Sequence, residues 1–427
     1  MALKVYLDTI GCRLNQSEIE MLARQFRAAG HTLVESAKLA DLAVVNTCAV
    51  TEAAASDSRQ KVRQAALAGA GEIVVTGCWA TIDPAGAAAL PKVKQVTPNV
   101  LKDQLVAQVL QTQVQDFDRE FIEREAIPGA RLRTRAFIKV QDGCNNRCTF
   151  CITTIARGAA RSRPVKAVLN DVFAALAGGA QEVVLTGVHL GCWGYDLPQP
   201  QTLATLIKIL LSETDLPRLR LSSLEPWDLA EDFFSLWQDR RLCRHLHLPL
   251  QSGSSATLRR MGRKTTPEAF ARLAAAARQA CPDIAITTDI IAGFPGETQA
   301  EFEESLAFTA EMNFAGGHVF PYSSRPGTVA ARMPAQVPPA VRKQRSARFL
   351  QLFAQASETY QRRFIGAELP ILWESACSVG PEGWQMSGLT DNYLRVYALA
   401  PQRLWNQISR VQLKALTQRG LWGELVE

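Results

Sequence analysis

Residues 136–151 read AFIKVQDGCNNRCTFC, and how this stretch is read decides the architecture of the whole chain. The opening AFIKVQ is β-rich, and Asp142-Gly143 ends it in a turn. Cys144, Cys148 and Cys151 then fall within eight residues, close enough for three thiolates to wrap one metal centre. A structural zinc site takes four ligands in characteristic paired spacings, and no fourth Cys or His lies nearby. Iron-sulfur clusters also take thiolates and are normally saturated by four, so three leave one iron open to an outside ligand. The competing reading is three structural cysteines or a zinc loop.

Outward from this stretch, β-rich runs recur with helical stretches between them: EVVLTG at 182, RLRLSS at 218, HLHLPL at 245, AITTDI at 285 and GGHVFPYS at 316. Six strand-plus-helix repeats predict an incomplete parallel (βα)6 barrel, because parallel strands need crossovers of this length. A long helix over about 338–364, carrying Arg342, Lys343 and Arg345, closes the unit. Beyond Gly366, short alternating strands with Gly and Asn turns predict a small all-β, OB-like barrel. Before residue 112, apolar runs alternate with helical patterns, as in an open α/β domain. The expected division is 1–112, a charged linker over 113–132, a core over 133–365 and a C-terminal barrel over 366–427.

Cys12, Cys48 and Cys78 are distant in sequence, yet each follows a predicted strand: YLDTIGC, VVNTC and VVTGC. The carboxyl ends of parallel strands in an open sheet face one crevice, so these thiols can meet there as a second open site. Cys192, Cys243, Cys281 and Cys377 share no such pattern and read as core or incidental thiols.

The 427 residues are 47% hydrophobic and 21% charged, which excludes a disordered or fibrous chain and requires more than one core. A net charge of +6 suits a polyanionic partner without demanding one. The N-terminus lacks the plan of a secretory signal and no run is long enough to span a membrane, so a cytoplasmic location is expected. Ten cysteines in a reducing compartment are ligands or buried thiols rather than disulfides.

The C-x-x-x-C-x-x-C spacing, with Phe150 before the last cysteine, resembles the signature of the radical S-adenosylmethionine superfamily. With the second trio, and with GCRLNQSE at Gly11, NTCAVT at Asn46, TGCWA at Thr76, HLPLQSGS at His247, DIIAGFPGET at Asp289 and PYSSRPGT at Pro321, nearly the whole chain resembles the methylthiotransferase family. The resemblance implies two 4Fe-4S clusters, one on Cys144, Cys148 and Cys151 and an auxiliary one on Cys12, Cys48 and Cys78, together with S-adenosylmethionine. It implies that a radical made at the first removes hydrogen from an unactivated carbon, that the second delivers sulfur, and that further S-adenosylmethionine methylates it. Gly178 and Gly179 resemble the glycine-rich segment that accepts the methionine amino group, and Ser223 and Glu225 the segment near the ribose. The C-terminal barrel resembles a TRAM domain.

The GCRLNQSE and NTCAVT segments and RSRP at Arg161 look most like the MtaB branch, whose substrate is N6-threonylcarbamoyladenosine at position 37 of the tRNA anticodon loop. The isopentenyladenosine branch opens with a GCQMN-like segment, and a third branch modifies a ribosomal-protein aspartate. A non-catalytic iron-sulfur RNA-binding sensor is the reading from a different class. On the tRNA reading, Arg157, Arg161, Arg163, Arg342, Lys343 and Arg345 are candidate RNA contacts, an electron donor such as flavodoxin or ferredoxin is implied, and a monomer is expected. After Cys151 the chain departs from the family, reading ITTIARG where a Pro and Tyr are usual.

Overall fold

A computed structural model describes residues 2–112, 124–129 and 133–426. The first unit is a five-stranded parallel sheet of β1 (Lys4–Thr9), β2 (Thr32–Leu33), β3 (Leu42–Thr47), β4 (Glu72–Gly77) and β5 (Val93–Thr97), in the order β2-β1-β3-β4-β5. Helices α1 (Arg13–Ala28), α2 (Glu52–Ala68), α3 (Cys78–Ile82), α4 (Pro84–Ala88) and α5 (Leu105–Leu110) alternate with the strands. Strand β3 is buried along its whole length, as both-face coverage demands. This order places the topological switch between β1 and β3, where ligands of doubly wound sheets bind.

The core holds β6 (Arg135–Lys139), a small ladder of β7 (Gln141–Asp142) with β8 (Arg161–Ser162), then β9 (Glu182–Thr186), β10 (Leu219–Leu221), β11 (His245–His247), β12 (Ala285–Ala292) and β13 (Gly316–Pro321). Two parallel sheets, β6-β9-β10 and β11-β12-β13, are joined by the parallel bridges Leu219–Leu242 and Ser223–His247. The six long runs therefore curve in sequence order into a partial barrel whose free edges are β6 and β13. Helices α6 (Thr153–Arg157), α7 (Val165–Ala177), α8 (Leu203–Glu213), α9 (Ser255–Met261), α10 (Pro267–Ala280), α11 (Gln299–Glu311) and α12 (Pro339–Arg362) complete it. Helix α11 starts in a capping box, Thr298 with Glu301, that fixes its first turn.

Strands β14 (Glu368–Gly380), β15 (Gly383–Thr390), β16 (Arg395–Ala400), β17 (Ile408–Thr417) and β18 (Gly420–Leu425) close a barrel in the order β14-β15-β16-β18-β17. Its β15–β16 turn docks under the core: Arg220 donates to the Thr390 and Asp391 carbonyls, and Arg244 pairs with Asp391 at 2.6 Å. The first unit docks along the β6 edge, where the Lys139 N–H donates to Ser17 Oγ at 2.9 Å. Most of the linker expected over 113–132 lies outside the described residues. Within it Arg124 is buried, pairing with Glu20 at 2.8 Å and donating to the Arg133 and Arg135 carbonyls. No helix among the described residues is long and apolar enough to cross a membrane.

Candidate active site

Both cysteine trios line one cavity of about 1040 Å³ that runs through the mouth of the partial barrel and along its open side. In the auxiliary trio, Cys12 precedes α1, Cys48 follows β3 and Cys78 opens α3. Glycines let these turns close: Gly77 has φ +99° and ψ −172°, and a Cβ there would collide with the Thr47 backbone and lie 2.7 Å from Asn46 Oδ1. Ser58 clamps the next turn, accepting from the Cys48 N–H at 2.9 Å and donating to its carbonyl at 3.0 Å. Asn99 donates to Cys78 Sγ at 3.6 Å and to the Ala156 carbonyl at 2.8 Å, tying this trio to α6 of the core.

Beneath it lies a fully buried charge network. Glu18 accepts from Lys102 Nζ at 2.6 Å and from Arg157 at 2.8 Å, and Arg157 also reaches Asn15 at 2.7 Å and Asp142 at 2.9 Å. Burial alone would raise the Glu18 pKa, but Arg157, Lys102 and Lys139 hold it well below the usual carboxylate range. The Asn and Glu of GCRLNQSE and the Asn of NTCAVT are thus members of one network, since Asn46 Oδ1 accepts from Lys102 at 3.0 Å.

In the trio of the core, the Asn146 N–H points at Cys144 Sγ and the Thr153 N–H at Cys151 Sγ, each at 3.4 Å. Arg263 lies 3.8 Å from Cys148 Sγ and pairs with Glu225 at 2.6 Å, its guanidinium stacked 4.5 Å above the Trp227 ring. Burial pushes the Cys48, Cys148 and Cys151 thiols up. His189 sits between Asp228, at 2.5 Å, and Cys144; burial opposes its charge, but those contacts raise its pKa to about 12.

The donor sets fit iron-sulfur clusters. Around one tetrahedral zinc, thiolates sit about 3.8 Å apart. Among the described residues His247, Asp289 and His318 are the only trio of such side chains with ligand atoms all within 4.8 Å of one another, so both cysteine trios are spread more widely than one ion requires. Thiolates on separate irons need that spread, and N–H groups aimed at sulfur suit a cluster.

Phe150, Ser223 and Glu225 line the cavity with the cysteines. Gly178 and Gly179 do not: they end α7 ahead of β9, at the opposite end of the strand, where Gly178 packs on Arg124 and the Gly179 carbonyl accepts from Asn406. The residues that do reach the cavity from β9 are Thr186 and Gly187, just past its carboxyl end, the position a barrel reserves for its site. Two proposed RNA contacts are also corrected. Arg157 is 1% exposed and wholly engaged in the network above, and Arg345 is buried against Glu297 at 2.6 Å, so neither guanidinium is open to a phosphate. Arg342 bonds the Tyr322 carbonyl, Lys343 is exposed on α12, and both lie outside the cavity wall. Arg161 is half-exposed near Asp142, and Arg163 pairs with Asp171. The ITTIARG departure forms α6, which packs against α3 and carries Arg157.

Residues 138–309 match the model of the radical SAM superfamily, and residues 4–97 that of Uncharacterized protein family UPF0004. Over 96% of the chain and 93% of the relative, the sequence is 35% identical to threonylcarbamoyladenosine tRNA methylthiotransferase MtaB of Bacillus subtilis. It is 33% identical to tRNA-2-methylthio-N(6)-dimethylallyladenosine synthase of Cereibacter sphaeroides, over 99% of the chain and 98% of the relative. The chain belongs to the radical S-adenosylmethionine methylthiotransferase family. The radical S-adenosylmethionine methyltransferase TsrM from Kitasatospora setae shares the fold, with a TM-score of 0.58 and 16% identity, covering 78% of this chain and 77% of that one.

The protein is therefore an enzyme that uses S-adenosylmethionine and two 4Fe-4S clusters. Missed from sequence were Arg263, Asn15, Asn99, Asp289 and His318, all brought to the site or its support by partners far away in the chain. The signal for Asn15 and Asp289 was present, since both lie inside the quoted motifs.

Proposed function

We propose that this enzyme methylthiolates carbon 2 of N6-threonylcarbamoyladenosine beside the anticodon of tRNA, at position 37. The observation that carries the reading is that Cys12, Cys48 and Cys78 face Cys144, Cys148 and Cys151 across one cavity. When bound, the cluster and S-adenosylmethionine at Cys144, Cys148 and Cys151 supply one-electron cleavage to a hydrogen-abstracting radical, and the group on the other trio supplies sulfur. The protein's part is placement. Arg263 and Glu225 orient one another at the S-adenosylmethionine wall, and Phe150, packed edge-on against Phe294, fills the side of that wall. The Glu18–Arg157–Asp142 network fixes the spacing between the two walls.

The substituent assignment is supported by the MtaB relatives and the GCRLN opening, and the cytoplasm and a flavodoxin- or ferredoxin-type donor belong to the same reading. Mass spectrometry of tRNA nucleosides from a deletion strain tests it. The methylthio form of threonylcarbamoyladenosine disappears and returns with the wild-type chain; an unchanged profile removes the proposal. Complementation with Cys48→Ala leaves S-adenosylmethionine cleavage to deoxyadenosine in vitro and abolishes the methylthio nucleoside.

A further inference from the structure

The cavity carries positive charge that its own walls do not neutralise. Arg13, the first residue of α1, donates to Tyr393 Oη at 2.9 Å and lies over that ring, yet no carboxylate among the described residues pairs with it. Its neighbours are accounted for differently: Arg135 pairs with Glu374 at 2.8 Å and Arg220 with Glu182 at 2.6 Å. Burial works against ionisation of the Tyr393 phenol, but the charges of Arg13 and Arg135 pull its pKa below the ordinary value. An anion is what this spot favours.

His318, on the free edge strand β13, faces the same cavity with its side chain 71% exposed. Its Nδ1 is held by Asp289 Oδ1 at 3.2 Å, which favours the protonated ring and leaves Nε2 without a partner among the described residues. Asp289 is shared with His247 Nε2 at 3.2 Å, and His247 Nδ1 is in turn fixed by Thr287 Oγ1 at 2.9 Å. His318 is thus oriented from behind and open in front. Arg13 comes from the first unit and His318 from the core, on the two sides of the gap between β6 and β13.

We propose that Arg13 and His318 form the subsite for the carboxylate of the threonylcarbamoyl substituent, and so select an anionic N6 group over an apolar one. The assignment rests on the substrate reading above. A guanidinium and an imidazole nitrogen that line one cavity from two units match a carboxylate. The Arg13 partner Tyr393 is half-buried and the stacked His245 buried in the cavity wall, reachable by an extruded base and its substituent rather than by a backbone that stays outside. The exposed Arg419 at the rim, by contrast, is placed to meet a phosphate.

The test measures affinities of the cluster-loaded enzyme for three anticodon stem-loops, carrying threonylcarbamoyladenosine, its methyl ester, or unmodified adenosine. Wild type binds the acid about tenfold more tightly than the ester, as expected for one charge-assisted pair. In Arg13→Gln that preference falls to about twofold or less, while affinity for the unmodified loop is unchanged; mutation and esterification are non-additive because they remove the same contact. If Arg13→Gln loses iron, His318→Ala carries the same comparison, since its side chain is exposed and meets only the His247 and Phe320 rings beside Asp289. Equal wild-type binding of acid and ester overturns the carboxylate subsite and leaves the substrate reading standing. Variants that weaken all three loops alike overturn it too, because they place the contact on the RNA backbone. A wild type that prefers the unmodified loop overturns the substrate reading and the subsite with it.

Discussion

Replacing Glu18 by Gln removes one negative charge from between two buried cations while keeping the side-chain shape. Glu18 is 1% exposed, and its two oxygens serve Lys102 at 2.6 Å and Arg157 at 2.8 Å. Arg157 retains Asp142 at 2.9 Å, but Lys102 keeps only neutral acceptors, the Asn46 Oδ1 at 3.0 Å and the amide oxygen of the new side chain. Removing one partner of a buried ion pair costs about 3–5 kcal/mol. Burial already depresses the Lys102 pKa, so the orphaned ammonium can shed its proton and hold the loss near the lower figure, about 3 kcal/mol. With a urea dependence of about 2 kcal/mol/M, the unfolding midpoint of the first unit moves down by about 1.5 M. Anaerobic urea titration of the metal-free chain, followed by far-UV circular dichroism, measures it. Adding Lys102→Met to Glu18→Gln removes the stranded cation and recovers part of the shift. A Glu18→Gln midpoint within about 0.3 M of wild type would refute the assignment of this network as the clamp between the units.

Three further outcomes follow from the same geometry. Gly77→Ala puts a side chain into a backbone region open essentially to glycine alone, costs about 1–3 kcal/mol and halves the iron bound, as measured by iron assay after anaerobic reconstitution; full iron content would contradict it. Arg263→Met withdraws an N–H from Cys148 Sγ, so the potential of that cluster becomes more negative in an EPR-monitored redox titration, and a rise would reverse the argument. Glu18, Asp171 and Asp391 all have pKa values held below the ordinary carboxylate range, burial opposing and arginines prevailing. A depressed folded-state pKa contributes stability that is complete above the unfolded value near 4 and is lost as pH falls through the folded value, so thermal midpoints stay level from pH 7 to about 5 and drop below about 4. A level midpoint down to about pH 3 would exclude these pairs as stabilising contacts.

The barrel was legible because its parallel strands form β-rich runs and their crossovers must be helical; β6, β9, β10, β11, β12 and β13 all overlap the runs that periodicity picks out. The auxiliary trio was legible for a related reason: three cysteines after three parallel strands can only point to one edge. Gly178 and Gly179 misled because a helix stop and a ligand-binding glycine loop have the same composition, and only the direction of β9 tells which end faces the cavity. The arginines misled because sequence shows charge and not its partner. Arg157 meets Glu18, and Arg345 meets Glu297, across stretches of chain no local pattern connects.

The placement of Arg157 explains why the two units form one site rather than two neighbouring ones. It closes α6, six residues after Cys151, and its guanidinium is bonded to Asn15 and Glu18, three and six residues after Cys12. One rigid side chain therefore spans the loops that carry both trios. Reacting groups must come within about 3–3.5 Å, and an error of about 1 Å can cost a hundredfold in rate. A hinge between the units at this point would let that error arise freely. The network is fully buried and every one of its oxygens and guanidinium arms is matched, so its two units move together or the charges are stranded. The chemistry of the cavity thus depends on an ion pair built into the wall between its two cysteine trios.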